Sequence, residues 1–137
     1  MPPTRRRVMR AISGSNTAPE RRVSSVLHRL GYRFRRNVPA LPGKPDFVFT
    51  RRKKIIFVHG CFWHSHQACG AAKVPATRKE YWESKLKATV IRDEKVRSEL
   101  LLGGWLIMTI WECELRDAKI LIERLIEFLG PARSFER

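Results

Sequence analysis

Behind the capping-box sequence Thr17-Ala18-Pro19-Glu20, apolar residues return at Val23, Val26, Leu27 and Leu30, a helical spacing that Gly31 brings to an end. The segment therefore predicts an amphipathic helix with proline in its first turn. Tyr32 to Arg36 alternates weakly and predicts a strand, whereas Asn37 to Pro45, with three prolines and a glycine, reads as a loop. Asp46-Phe47-Val48-Phe49 and Lys54-Ile55-Ile56-Phe57-Val58 are rich in β-branched and aromatic residues and flank the basic turn Thr50-Arg51-Arg52-Lys53, the pattern of a hairpin. Gly60 to Ala76 follows neither period and collects Cys, His, Trp, Gly and Pro, so something other than a hydrophobic core must organise it. A second capping box, Thr77-Arg78-Lys79-Glu80, opens a helix expected from about Arg78 to Leu102, where Gly103-Gly104 ends it. Trp105 to Trp111 is a nearly continuous apolar run, as expected for a strand covered on both faces. Asp117 is placed to cap a last helix with the stripe Leu121, Ile122, Leu125, Ile126 and Leu129, ahead of Gly130-Pro131. Helix, two or three strands, helix, strand and helix in this order predict an α/β sandwich, built as one domain over residues 1–137.

Composition narrows the function classes. With 43% hydrophobic residues in 137, the chain can bury a core, and disorder along its whole length is excluded. No apolar run approaches the roughly 18 residues of a membrane span, and Met1 to Arg10 lacks the apolar core of a signal peptide, so the expected compartment is the cytoplasm. The formal net charge is +15, and it is unevenly spread. Residues 1–60 hold fifteen Lys and Arg against only Glu20 and Asp46, while residues 61–137 hold 13 basic residues against 11 acids. The first half faces a polyanion. Arginine predominates there, and its forked guanidinium suits phosphate oxygens, so the expected partner is nucleic acid. An anionic membrane fits less well, because no strongly apolar face accompanies the basic residues. Residues 1–16 combine Pro-Pro, a basic run and Val8, Met9 and Ile12, which reads as an arm that orders on a partner.

Three cysteines in a chain without an export signal do not make a disulfide framework. Cys61, His66 and Cys69 lie within nine residues of the irregular segment 61–76, and Cys113 follows the buried strand. Three thiolates and one imidazole are a tetrahedral, closed set for structural Zn²⁺, with His64 as the other candidate ligand. Ligation would offset the entropy of ordering so long a loop. If His66 takes zinc, His59 and His64 remain for chemistry. Antiparallel pairing in the hairpin would bring Asp46 close to Val58 and His59. A single aspartate in so basic a region makes sense as a ligand for Mg²⁺, a hard cation that takes oxygen donors, although a strand-initiating acid paired with a nearby arginine would look the same in sequence. Glu20 is accounted for by the capping box and is also a second candidate carboxylate. Phe62, Trp63 and Trp82 are planar side chains beside basic ones, suited to stacking on or wedging between bases; Trp82 with Leu86 is equally a core pair at i, i+4 spacing.

Gly60-Cys61-Phe62-Trp63-His64, Pro45-Asp46-Phe47-Val48 and Val74-Pro75-Ala76-Thr77-Arg78 together resemble the very-short-patch repair (Vsr) DNA mismatch endonuclease family, from Met9-Arg10-Ala11-Ile12 through Trp111-Glu112-Cys113 to Leu115-Arg116. The resemblance implies a restriction-endonuclease-like core, a mixed sheet flanked by helices, with a structural zinc site and a basic N-terminal arm. It implies a monomeric, magnesium-dependent enzyme that nicks one strand of double-stranded DNA 5′ of the thymine in a T:G mismatch left by deamination of 5-methylcytosine. It assigns Asp46 and the main-chain carbonyl of Val58 to Mg²⁺, His59 and Glu20 to water molecules at the metal, and His64 to the role of general base. Phe62, Trp63 and Trp82 match the aromatic wedge, Met9 and Ile12 the residues that press from the minor groove, and Cys61, His66, Cys69 and Cys113 the zinc ligands. The spacing between His66 and Cys69 departs from that of the best-known members, and Val58 stands where some members carry a hydroxyl residue. Two other functions fit the same residues: a zinc-stabilised nucleic-acid-binding protein without catalysis, and a nuclease of this fold that cuts matched DNA.

Overall fold

The computed structural model describes residues 17–61 and 77–132. Its elements are α1 (Ala18–Leu30), β1 (Arg35–Arg36), β2 (Phe47–Phe49), β3 (Lys54–His59), α2 (Lys79–Leu102), β4 (Leu106–Trp111), a 3-10 turn (Glu112–Arg116) and α3 (Ala118–Leu129). The order of helices and strands is the one that the sequence predicts. The four strands form one mixed sheet in the order β1-β2-β3-β4. β2 pairs antiparallel with β1 and β3, with Phe47 opposite Ile56 and Phe49 opposite Lys54. β3 pairs parallel with β4, from Lys54 opposite Leu106 to His59 opposite Trp111. A parallel pair needs a crossover, and α2 lies within it.

Alternation along the strands divides the core into two layers. Phe47, Phe49, Ile56, Met108 and Ile110 pack with Val23 and Leu27 of α1 and with Leu121, Leu125 and Leu129 of α3. Val48, Ile55 and Phe57 point the other way, onto Leu100 of α2, with Val96, Trp105 and Ile107 at the margin. Helices thus flank both faces, and the fold is α/β as expected.

Local chemistry explains most of the boundaries. Thr17 is the N-cap of α1, its hydroxyl accepting from the Glu20 N–H at 3.4 Å, and Gly31 closes the helix at φ 91°, a left-handed position that suits glycine. Asp117 caps α3 by accepting from the N–H groups of Lys119 and Ile120 at 3.0 and 3.2 Å. The C-terminal carbonyls of α3 receive cations from the hairpin turn: Arg52 donates to the Leu129 carbonyl at 2.7 Å and Lys54 to that of Phe128 at 2.5 Å.

Four expectations change. The strand predicted over 32–36 shortens to Arg35–Arg36, because Tyr32 turns into the core and donates its hydroxyl to the Gly130 carbonyl. Thr77 does not cap α2; the N-cap is Arg78, held at φ 58° with no side-chain cap bond. The apolar run ending at Trp111 is not covered on both faces: β4 is an edge strand, Met108 and Ile110 are buried, and Leu106 is 57% exposed. On the α2 side, Ile107 packs beside Leu100 and Val96, and Ile107, Thr109 and Trp111 are all only half-buried, while Leu106 begins the edge strand on the opposite face. The stripe of α3 narrows to Leu121, Leu125 and Leu129, with Ile126 exposed and Ile122 half-buried.

The loop from Asn37 to Pro45 is closed at its neck by main-chain bonds, Asn37 N–H to the Asp46 carbonyl at 3.1 Å and Val38 N–H to that of Pro45 at 3.3 Å. Its tip is pressed on α2: Gly43 has φ 74°, and a Cβ there would lie 2.5 Å from Cγ1 of Val96. Gly43→Ala is therefore expected to destabilise the protein by about 1–3 kcal/mol, combining backbone strain with overpacking, read as a lower urea midpoint at unchanged slope.

Candidate active site

Asp46 stands immediately before β2, where the antiparallel register sets it beside Val58. Its carboxylate accepts from the Val58 N–H at 2.7 Å. The hairpin thus brings Asp46 to Val58 as the sequence predicts. From the helix layer comes Glu20, in the first turn of α1 and 4% exposed. Because Thr17 caps that helix with its own hydroxyl, the Glu20 carboxyl is available to hydrogen-bond the Asp46 side chain. Arg36 of β1 completes the cluster, with its guanidinium 3.5 Å from Oε2 of Glu20 and over the Phe47 ring at 5.5 Å.

Two carboxyl groups in contact inside a protein resist ionising together. Burial, first, and then the hydrogen bond and negative charge of Glu20 push the Asp46 carboxyl up to about 8, against the opposite pull of the Val58 N–H and Arg36. A shared proton then stands where a cation would relieve the repulsion.

The Val58 side chain packs against the α1 and α3 layer, so Val58 can serve the site only through its main chain. His59 is half-buried and meets Trp111 edge to face at 5.4 Å and Phe57 at 5.6 Å. It lines a groove of about 200 Å³ with Asp93, Glu94 and Arg97 of α2 and Thr109 of β4. Trp82 is half-buried near the start of α2, edge to face with Tyr81 at 5.2 Å, and Leu86 one turn on is buried. Tyr81 is exposed and carries the Arg78 guanidinium over its ring at 4.4 Å.

Cys61 is buried and Cys113 half-buried. Each lies two residues beyond the paired His59 and Trp111, so both thiols come from the same end of parallel neighbours. The turn bearing Cys113 is held by Glu114, which accepts from the Trp111 N–H at 2.9 Å and pairs with Arg124 of α3. Met9, Ile12, Phe62, Trp63, His64, His66 and Cys69 lie outside the described residues. Among the described residues, no three His, Cys, Asp or Glu side chains converge as a metal-ligand group.

Sequence reasoning missed Arg36 and Asp93. Arg36 is one of many arginines, and only the pairing of Arg36 with Phe47 distinguishes it; Asp93 is an acid among charged helix residues, and only the packing of α2 brings it to the groove of His59.

Comparison with known proteins decides the family. The family model described as DNA mismatch endonuclease Vsr matches residues 1–70. Over 131 residues the chain is 43% identical to the type II nicking enzyme V.XorIIP of Xanthomonas oryzae pv. oryzae, covering 96% of both chains. The chain belongs to the Vsr DNA mismatch endonuclease family. It is also 44% identical to the DNA mismatch endonuclease Vsr of Escherichia coli K12, over 92% of this chain and 83% of that one. The type II nicking enzyme V.NmeAIP of Neisseria meningitidis is 37% identical over 86% of this chain and 84% of its own. As a Vsr-family member the chain is a DNA endonuclease, a hydrolase.

The raised Asp46 has a thermodynamic consequence. Between the ordinary carboxylate value and about 8, the folded metal-free protein holds a proton that the unfolded chain has released, so its stability falls as pH rises through that window. Urea unfolding in a chelator between about pH 5 and about pH 9 is expected to show this fall, and Asp46→Asn is expected to flatten it.

Proposed function

We propose that this protein nicks one strand of duplex DNA 5′ of the thymine in a T:G mismatch, starting very-short-patch repair by Mg²⁺-dependent hydrolysis of a phosphodiester. The observation that carries the proposal is the buried Glu20–Asp46 pair beside the Val58 main chain, set in a basic half-chain. The name of the Escherichia coli relative, a DNA mismatch endonuclease, supports the substrate class.

In this reading Asp46 and the Val58 carbonyl hold Mg²⁺, a hard cation suited to two oxygen donors. When bound, the ion neutralises phosphate charge and makes water easier to deprotonate. Glu20 and His59 orient water at the site, Glu20 from α1 and His59 from the end of β3. His64 takes the proton of the attacking water on its imidazole, a base suited to neutral pH. Phe62, Trp63 and Trp82 enter beside the mismatch, and Met9 and Ile12 press from the minor groove. Cys61, His66, Cys69 and Cys113 close a tetrahedral Zn²⁺ site that ties segment 61–76 to the turn after β4. The whole chain, 1–137, is one endonuclease domain with an arm over residues 1–16, acting as a monomer in the bacterial cytoplasm. No helix of the described residues is long and apolar enough to cross a membrane.

A second reading, cleavage at matched recognition sites, is favoured by the relatives named type II nicking enzymes. Incubation with Mg²⁺ and duplexes differing only in T:G versus C:G separates the two: the proposal expects a nick in the T:G strand alone, and equal cutting of both duplexes supports the second reading. Loss of one metal-holding carboxylate in Asp46→Asn is expected to lower the nicking rate by about a hundredfold or more while the protein stays folded by circular dichroism. Cys113→Ser is expected to lose bound zinc by elemental analysis and to melt at a temperature lower by about 5 °C or more, since metal ligation contributes folding free energy.

A further inference from the structure

Arg36 is held more closely than a solvated surface arginine. Its side chain is 30% exposed, its guanidinium covers Phe47, and one of its nitrogens lies 3.5 Å from a carboxylate that is 5% exposed. The two-residue β1 sets it opposite Phe47, the neighbour of Asp46, and its charge favours the ionised form of Asp46 as well. The nearby basic residues of the hairpin point elsewhere: Arg52 and Lys54 to the end of α3, and Lys53 over Trp105 at 4.6 Å.

We infer that Arg36 is a positioning residue that serves as the built-in counter-cation of the Glu20–Asp46 pair, weakening its hold on a divalent cation and leaving the loaded site one positive charge with which to attract a phosphodiester. The inference rests on the reading of Asp46 as the carboxylate that holds the cation, with Glu20 beside it orienting water. Charge counting gives the reason. Once a divalent cation has taken the place of the shared proton, two ionised carboxylates, one guanidinium and the cation leave one net positive charge, and a single phosphodiester then makes the cluster neutral. Without Arg36 the pair and the cation would already cancel, and nothing would remain to draw in the phosphate. The guanidinium lies 3.5 Å from Oε2 of Glu20, at the long end of hydrogen bonding, so the attraction of opposite charges contributes to this contact beyond its hydrogen-bond geometry. A positive charge this close to a site repels a second cation and attracts an anion in the same measure.

The test uses the full chain. Calorimetric titration with MgCl₂ in the absence of DNA compares wild type, Arg36→Met, Arg36→Gln, Arg36→Lys and Asp46→Asn, with thermal melts in a chelator to establish that each is folded. Binding of a T:G duplex is measured in Ca²⁺ for the wild type and the Arg36 variants. Neutral residues at position 36 are expected to tighten Mg²⁺ binding about fivefold and to weaken duplex binding by about the same factor, with a salt slope shallower by about one. Arg36→Lys, which keeps the charge and loses the fork, is expected to stay within about twofold of wild type on both measures. Opposite signs for metal and DNA, rescued by lysine, are not the outcome of a merely structural role. Mg²⁺ binding that is unchanged or weaker in both Arg36→Met and Arg36→Gln overturns the inference, as does an Arg36→Lys that behaves like them. If wild type shows no Mg²⁺ binding that Asp46→Asn abolishes, the carboxylate reading falls and takes the inference with it. If that binding is present and only the arginine variants fail to change it, the inference alone falls.

Discussion

Phe47 faces Ile56 across the hairpin, and both side chains are buried in the cluster that α1 and α3 share, so burial holds the register of β2 on β3. A slip of one residue would turn Phe47 and Phe49 toward α2 and drive Val48 into the opposite layer. The same slip would take Asp46 from the Val58 N–H. The carboxylate therefore owes its position to apolar residues that never touch it, and the loop behind it is fixed twice, at its neck by main-chain bonds and at its tip by the fit of Gly43 on Val96.

The electrostatics of the cluster follow from burial more than from net charge. In a chain of +15 an isolated acid would be expected to ionise readily, yet Asp46 is pushed up to about 8. Distant surface cations are screened by water and salt, whereas Glu20 is in contact and shares the same desolvated volume. Val58 packs its side chain against the α1 and α3 layer, and its neighbour His59 lines the groove beside α2. Consecutive residues of one strand thus reach both sides of the sheet at the end where β3 and β4 finish together.

Most of the architecture was legible because periodicity, caps and glycine stops act locally. Thr17, Gly31, Asp117 and the hairpin pattern all mark boundaries through interactions only a few residues long. What failed depended on distant packing. The run ending at Trp111 looks fully covered because its composition is apolar, but its coverage is decided by how α2 crosses the sheet, which no window around the strand contains. Thr77 and Glu80 carry a capping sequence, yet Arg78 takes a left-handed conformation and becomes the N-cap itself. In the site, Asp46 was legible as an acid among bases at the head of a strand and Glu20 as one of only two acids in the first half. Arg36 was not, since its neighbours Arg33 and Arg35 are of the same type and only the two-residue pairing of β1 with β2 sets Arg36 opposite Phe47.

The docking of Arg52 and Lys54 on the last carbonyls of α3 changes what the net charge means. These two cations lie inward, against a helix end, so a count of basic residues overstates the field that the first half presents to a polyanion. Partly buried contacts of this kind are screened far less than open ones. Ionic strength should consequently act unequally on the molecule, loosening its grip on a duplex well before it loosens the seam between hairpin and last helix.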